Sequence, residues 1–320
     1  MPVNLLDALT GSFVVVNLGS GGDADYDLPS SFLKTITLIE IDAGGNKSAT
    51  SQRYYRKHLI NSVVAGDKSP GEFKIRNYGA CSGLREPHQE IIEQYGLQKF
   101  YETKSSQHVI PTTLPDILDP LGIDTVDLLK TDLEGLDFEV IKSCDHLLSN
   151  VLAIKCELRF QPFYQGEPHF HEVTQYLHER DFELIGLTPE YWKPLTENRK
   201  THRDGRVVFA DVFFLKRTEI IRGLPGDKKK ISAAKQIIAA SMSGHKSQAE
   251  WLLDQYRDLL APEWITELKP IVMSKIERGI PRAIRSVFSW PAVKIKSLAR
   301  SRNPKNSGSV FDFSHVASAD

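Results

Sequence analysis

Up to about Arg217 the chain alternates short apolar, β-branched runs with helical patterns. The runs are FVVVNL (13–18), TLIEI (37–41), SVVA (62–65), VDLLKTD (126–132), VLAIKCEL (151–158), FELIGL (182–187) and VVFADVFFL (207–215). Near-continuous apolar runs suit strands buried on both faces. Between them, Leu136, Val140, Ile141 and Leu147 recur at helical spacing, as do Phe170, Val173, Leu177 and Phe182. Strands separated by amphipathic helices predict βαβ units, hence a doubly wound, mostly parallel α/β sheet of the Rossmann-like kind. No helical pattern parts the last two runs, so they are expected to pair as an antiparallel edge hairpin.

After Arg217 the strand patterns stop. KKISAAKQIIAASM and QAEWLLDQYRDLL read as two helices, the second with Trp251, Leu252, Tyr256, Leu259 and Leu260 on one face. Pro262 opens a third, EWITELKPIVMSKIERG. The Ser-, Asn- and Asp-rich end reads as disordered. The expected organisation is an α/β domain over 1–217, a helical region over 218–300 and a tail over 301–320.

Charge changes this picture in one place. Forty Lys and Arg against forty-one Asp and Glu give a net charge of -1, which excludes a globally basic nucleic-acid binder. Yet residues 271–305 hold nine basic side chains and one acid, interleaved with Ile284, Phe288, Trp290 and Ile295. That pattern suits peripheral contact with an anionic membrane, and a solvated helix face suits it equally. No run approaches the ~20 apolar residues of a membrane span, and MPVNLLDALTGS lacks the pattern of a secretion signal. Three cysteines without a CxxC indicate neither a disulfide framework nor a zinc ribbon. A cytoplasmic protein is expected, with its oligomeric state left open.

The candidate chemistry begins at FVVVNLGSGGDAD, a buried strand entering a glycine-rich loop. Asn17, Gly19, Ser20 and Gly21 stand where a backbone approaches a nucleotide closely. Glu40 follows Gly19 by twenty-one residues. That is close to the ~20-residue spacing that brings a carboxylate to a ribose diol. Asp42 faces the same way in an extended chain, and the third strand is expected to end in Ala65-Gly66-Asp67, where Asp67 suits an adenine amine. No GxxxxGK[ST] is present, so a P-loop is excluded. Tyr95, Lys99 and Ser82 mimic the catalytic set of a nicotinamide-dependent reductase. However, only seventy-six residues separate Gly19 from Tyr95, too few for the strands that precede such a helix, and Gly96 weakens it.

The most informative stretch is VDLLKTDLEGLDFEVIKS (126–143), a strand carrying Lys130, Asp132 and Glu134 to its carboxyl end, where open α/β sheets bind ligands. KTDLEG resembles the K-x-D-x-EG core of the FkbM family of S-adenosylmethionine-dependent methyltransferases. ACSGLREP (80–87), IPTTLPDILDPLGI (110–123) and CELRFQPFYQGEPHFHEVTQYLHERDFELIGL (156–187) resemble that family's neighbouring segments in order and spacing, so the likeness covers about residues 13–216. The first loop departs from the family pattern: Asn17 replaces its acid, Ser20 and Gly21 replace Ala-Asn, and Asp23 stands for its last glycine.

The resemblance implies S-adenosylmethionine as cofactor and O-methylation of a hydroxyl, on a saccharide, a glycolipid or a related glycosylated metabolite. Methyl transfer to a hydroxyl needs alignment and a base. Asp132 is the first candidate, as base or metal ligand; Glu134 and Glu157 are the second candidates for acceptor or metal contacts. A divalent ion is an open addition to which no metal motif points. The loop FQPFYQGEPHFHE offers Tyr164, Gln165, His169 and His171 to a sugar. Two alternatives differ in class: a methyltransferase-like binding module without turnover, suggested by the altered loop, and, more remotely, a nicotinamide-dependent oxidoreductase.

Overall fold

The computed structural model describes residues 4–19, 26–44, 53–195 and 205–273, together with the backbone of 309–311. The described residues form ten strands: β1 Phe13–Leu18, β2 Ile36–Asp42, β3 Arg56–Asn61, β4 Gly71–Arg76, β5 Thr103–Val109, β6 Leu128–Thr131, β7 Ala153–Arg159, β8 Phe182–Trp192, β9 Arg206–Lys216 and β10 Ser309–Phe311. β4 and β5 make a separate antiparallel hairpin. The rest form one sheet in the order β10-β8-β9-β7-β6-β1-β2-β3. From β3 to β7 every pairing is parallel; β7–β9 and β8–β9 are antiparallel. The strand order reverses between β1 and β6, which leaves a crevice at their carboxyl ends. The doubly wound sheet and its antiparallel edge hairpin are as the sequence predicts.

Alternation along each strand sends successive side chains to opposite faces. Phe13, Val15, Leu38, Leu128, Ala153 and Phe213 pack on one face against Ile237, Ile238, Leu252 and Leu268. These last four come from helices Lys228–Met242, Lys246–Gln255 and Pro262–Met273, so the helices after Arg217 share a core with the sheet. Val14, Val16, Ile39, Leu129, Ile154 and Val212 pack on the other face against Leu114, Val140, Val173 and Leu177 of helices Leu114–Leu118, Asp137–Ser143 and Phe170–His178.

Four local expectations are corrected. The third strand is RKHLIN (56–61), not SVVA, from which only Val64 bridges to Thr112. An edge strand has one open side, so β3 tolerates the exposed Arg56 and Asn61 and loses its apolar signature. The β4–β5 hairpin escapes the pattern because β5, TKSSQHV, is almost wholly exposed. Phe182 opens β8 rather than closing the preceding helix. Trp251 is 45 % exposed, and helix Lys246–Gln255 buries Ala249, Leu252 and Leu253 instead.

Met273 ends the described part of that region. The basic stretch beyond it, like most of the 301–320 tail, lies outside the described residues. No described helix is long and apolar enough to cross a membrane.

Candidate active site

The first loop and the fourth parallel strand touch. Gly19 has φ +70°, and a Cβ there would lie 1.8 Å from the Asp132 carbonyl oxygen. Only glycine lets the backbone cross the end of β6 this closely. Asn17, in register with Glu40 on β2 and Lys130 on β6, is 2 % exposed. Its Oδ1 accepts no hydrogen bond from the described residues. Such an orphaned acceptor costs about 1–3 kcal/mol, which a bound donor would recover. Ser20 and Gly21 lie outside the described residues.

Glu40 sits inside β2, two residues before its end, and is 1 % exposed. Lys57 Nζ, from β3, approaches its Oε2 to 2.8 Å. Asp42 ends β2, and its Oδ1 accepts from the Gly44 N–H at 2.7 Å. Asp67 is exposed; Ser69 donates to its Oδ1 at 2.8 Å and holds the carboxyl below its ordinary range. The preceding Gly66 is needed for contact, since a Cβ there would meet the Glu139 Cβ at 2.7 Å.

Past β6 the chain turns through Glu134 and Gly135, at φ +49° and +91°. Glu134 is one of two described non-glycine residues in that region, a strained conformation that costs of order 1–3 kcal/mol and clusters at functional sites. Two groups hold it. The Tyr164 hydroxyl donates to its Oε2, and Arg159 Nη2 lies 3.1 Å away. Gly135 leaves room for the Tyr164 ring, whose Cδ2 a Cβ would meet at 2.8 Å.

Arg159 organises the surrounding carboxylates. Its guanidinium is 2.5 Å from Glu157 Oε1 and 3.0 Å from Glu167 Oε1, and it lies 4.7 Å over the Tyr164 ring. Tyr164 N–H donates to Glu167 Oε2 at 3.1 Å, and the Tyr101 and Tyr164 hydroxyls are 3.3 Å apart. Burial pushes Glu134 up to about 7 despite Arg159, and lifts Glu157 well above the usual carboxylate range. Asp137, 3 % exposed, accepts from the Leu133 N–H at 3.3 Å, and burial raises it to about 7.

Asp132 differs from all of these. It is half-buried, just past the end of β6, and no described residue donates a hydrogen bond to it. Burial raises its pKa, Lys130, Arg159 and Lys155 pull it down, and Asp211 pushes it up. Glu134 and Glu157 are bound into a network; no described residue takes up the Asp132 lone pairs.

The candidate acceptor loop divides. Tyr164 is 1 % exposed, enclosed with Tyr101 and Phe163. Gln165 is exposed, its N–H donating to the Glu86 carbonyl at 2.8 Å. His169 caps helix Phe170–His178, and its ring stacks on that of His171 at 5.7 Å, both exposed. Arg159 and Glu167 were not among the predicted site residues; a lone arginine inside the strand CELRF was the available signal. Among the described residues no three His, Cys, Asp or Glu side chains are grouped to hold a metal ion. A shallow depression lined by His171, His178, Phe182 and Leu184 runs beside that helix, away from the strand ends.

No curated protein matches the chain significantly. Three solved structures are similar at 10 % identity over 84 % of this chain. They are a protein of the NADB-Rossmann superfamily from Streptococcus agalactiae (94 % of its chain, TM-score 0.25), an uncharacterized protein from Listeria monocytogenes (93 %, 0.26), and a Streptococcus pneumoniae protein described as a candidate tRNA (m1A22) methyltransferase (96 %, 0.24). At these TM-scores the fold assignment rests on strand order and pairing instead. Residues 33–184 match the family model described as the methyltransferase FkbM domain, a span that runs from the end of the first crossover through KTDLEG and Arg159 into β8. Over residues 33–184 the chain is thus similar to the methyltransferase domain of the FkbM family.

Proposed function

We propose that the protein transfers a methyl group from S-adenosylmethionine to a hydroxyl of a saccharide or similarly hydroxylated acceptor, with Asp132 as the base. The observation that carries this reading is the Asp132 carboxylate, to which no described residue donates and whose backbone touches Gly19 of the first loop. The residues present suit the cofactor: a glycine that a Cβ would obstruct, an orphaned Asn17 oxygen to accept from an amine, and Glu40 and Asp42 on β2 for a ribose diol. Bound there, it would supply an electrophilic methyl on a sulfonium.

Asp132 would then accept the proton that the acceptor hydroxyl gives up on methylation. Glu134 and Glu157 bind through Arg159 and fix the turn behind Asp132. A second reading, a binding module without turnover, draws on one observation: Lys57 already lies against the Glu40 carboxylate.

Calorimetry with S-adenosylmethionine separates the two readings from an inert fold, and a mass-spectrometric screen of host glycan and lipid extract for methylated products separates them from each other. Glu40→Ala is expected to weaken cofactor binding by about 1.5–3 kcal/mol while leaving the saturated rate near wild type. Equal affinity in the variant would remove Glu40 from the cofactor site.

A further inference from the structure

We infer that the acceptor binds on the sheet face shared with the C-terminal helices and that His245, from outside the matched family domain, is one of its binding residues. This rests on the methyl-transfer reading above.

The argument starts from register. Gly186 pairs with Phe213, Phe213 with Lys155, Lys155 with Lys130 and Lys130 with Asn17, so these five form one row across the sheet. Two residues toward the carboxyl ends, Thr188 pairs with Asp211 and Asp211 with Glu157. Asp132 continues this second row, because Thr131 pairs with Cys156. Both rows point to the face that carries Leu128, Ala153 and Phe213, since side chains two apart share a face.

Helix cover ends at the first of these rows. Helix Lys228–Met242 stops, Gly244 turns at φ +89°, and His245 precedes helix Lys246–Gln255. The half-buried imidazole lies flat on Phe213, with ring centroids 4.4 Å apart and planes 10° apart. Gly186 makes this possible, because a Cβ there would lie 2.5 Å from His245 Cε1. Above the ring the strip stays open: the Asp211 side chain is 49 % exposed and Lys155, 3.0 Å from it, is 28 % exposed. The orphaned, buried Asn17 oxygen lies along the same row.

The donor and acceptor types fit a polyhydroxylated molecule. Asp211 accepts from hydroxyls, Lys155 donates, and an imidazole such as His245, whose pKa burial and Lys155 lower, offers a donor on one nitrogen and an acceptor on the other. The earlier candidates face elsewhere. His169 and His171 open helix Phe170–His178, whose Val173 and Leu177 pack against Leu129, Val140 and Ile154 on the opposite face.

The test uses the full chain with S-adenosylmethionine and the host glycan and lipid extract, reading methylated product, cofactor affinity and melting temperature. His245→Phe keeps a flat ring and loses both nitrogens. Product formation is expected to fall about tenfold, the loss of one hydrogen bond, with cofactor affinity and melting temperature unchanged. The Asp211→Asn variant, at a half-exposed position, should fall likewise, while His169→Ala and His171→Ala stay at wild-type rate. Normal turnover in both His245→Phe and Asp211→Asn, or loss confined to the His169 and His171 variants, overturns the inference and leaves methyl transfer standing. A wild type that binds no S-adenosylmethionine fails the underlying reading, and the inference with it.

Discussion

Asp132→Asn is expected to cut methyl transfer steeply and to leave cofactor affinity within a few-fold of wild type. The substitution keeps the shape of the side chain and removes its ability to take a proton. Positioned acid–base groups contribute about 10²–10⁴-fold, so a loss of that size is expected in kcat with little change in KM. The structure makes the prediction sharper than for the neighbouring acids. No described residue donates to Asp132, so the amide strands no buried donor. Glu134→Gln and Glu157→Gln, by contrast, disturb the Arg159 network and should lower the melting temperature as well as the rate. Melting curves beside single-turnover rates therefore distinguish a base from a scaffold. An Asp132→Asn enzyme that turns over at wild-type rate would show that the proton leaves by another route.

What was legible in the sequence was whatever a one-dimensional pattern records. β1, β6, β7 and β9 hold apolar runs because both their faces are covered over much of their length, and each stands out in the sequence. β3 and β5 lie at open edges, carry polar side chains and leave no such trace. KTDLEG was visible because chemistry and turn geometry meet within six residues. Arg159 was not, since its partners Glu134 and Glu167 lie in segments on either side of β7. His245 was invisible for the same reason: nothing local says that a helix start more than a hundred residues after Asp132 stacks on Phe213. Tyr164 shows the converse. Its loop reads as an exposed aromatic platform, but Gly135 admits the ring into the turn and Glu134 takes the hydroxyl.

Lys235→Met should destabilise the whole protein, because one buried ion pair ties the C-terminal helices to the strand that carries the site. Lys235, on helix Lys228–Met242, lies 3.0 Å from Asp127 Oδ2 and also donates to the Ser12 carbonyl. Asp127 directly precedes β6 and accepts the Val14 N–H at 2.8 Å, so it joins β1, β6 and the helix. Both side chains are about nine-tenths buried. Burial raises the Asp127 pKa, and Lys235 is the main group opposing that rise. Removing the lysine leaves a carboxyl buried without its counter-charge, at a cost of about 3–5 kcal/mol. At about 2–4 °C per kcal/mol for a domain of this size, melting should fall by roughly 10 °C. Asp127→Asn in the same chain removes the stranded charge and keeps an acceptor for Val14, so the double variant should recover much of the loss. Circular dichroism melts of the four proteins close the cycle. A single variant that melts with wild type, or a double variant no better than the single, would mean that the helices are held by apolar packing alone.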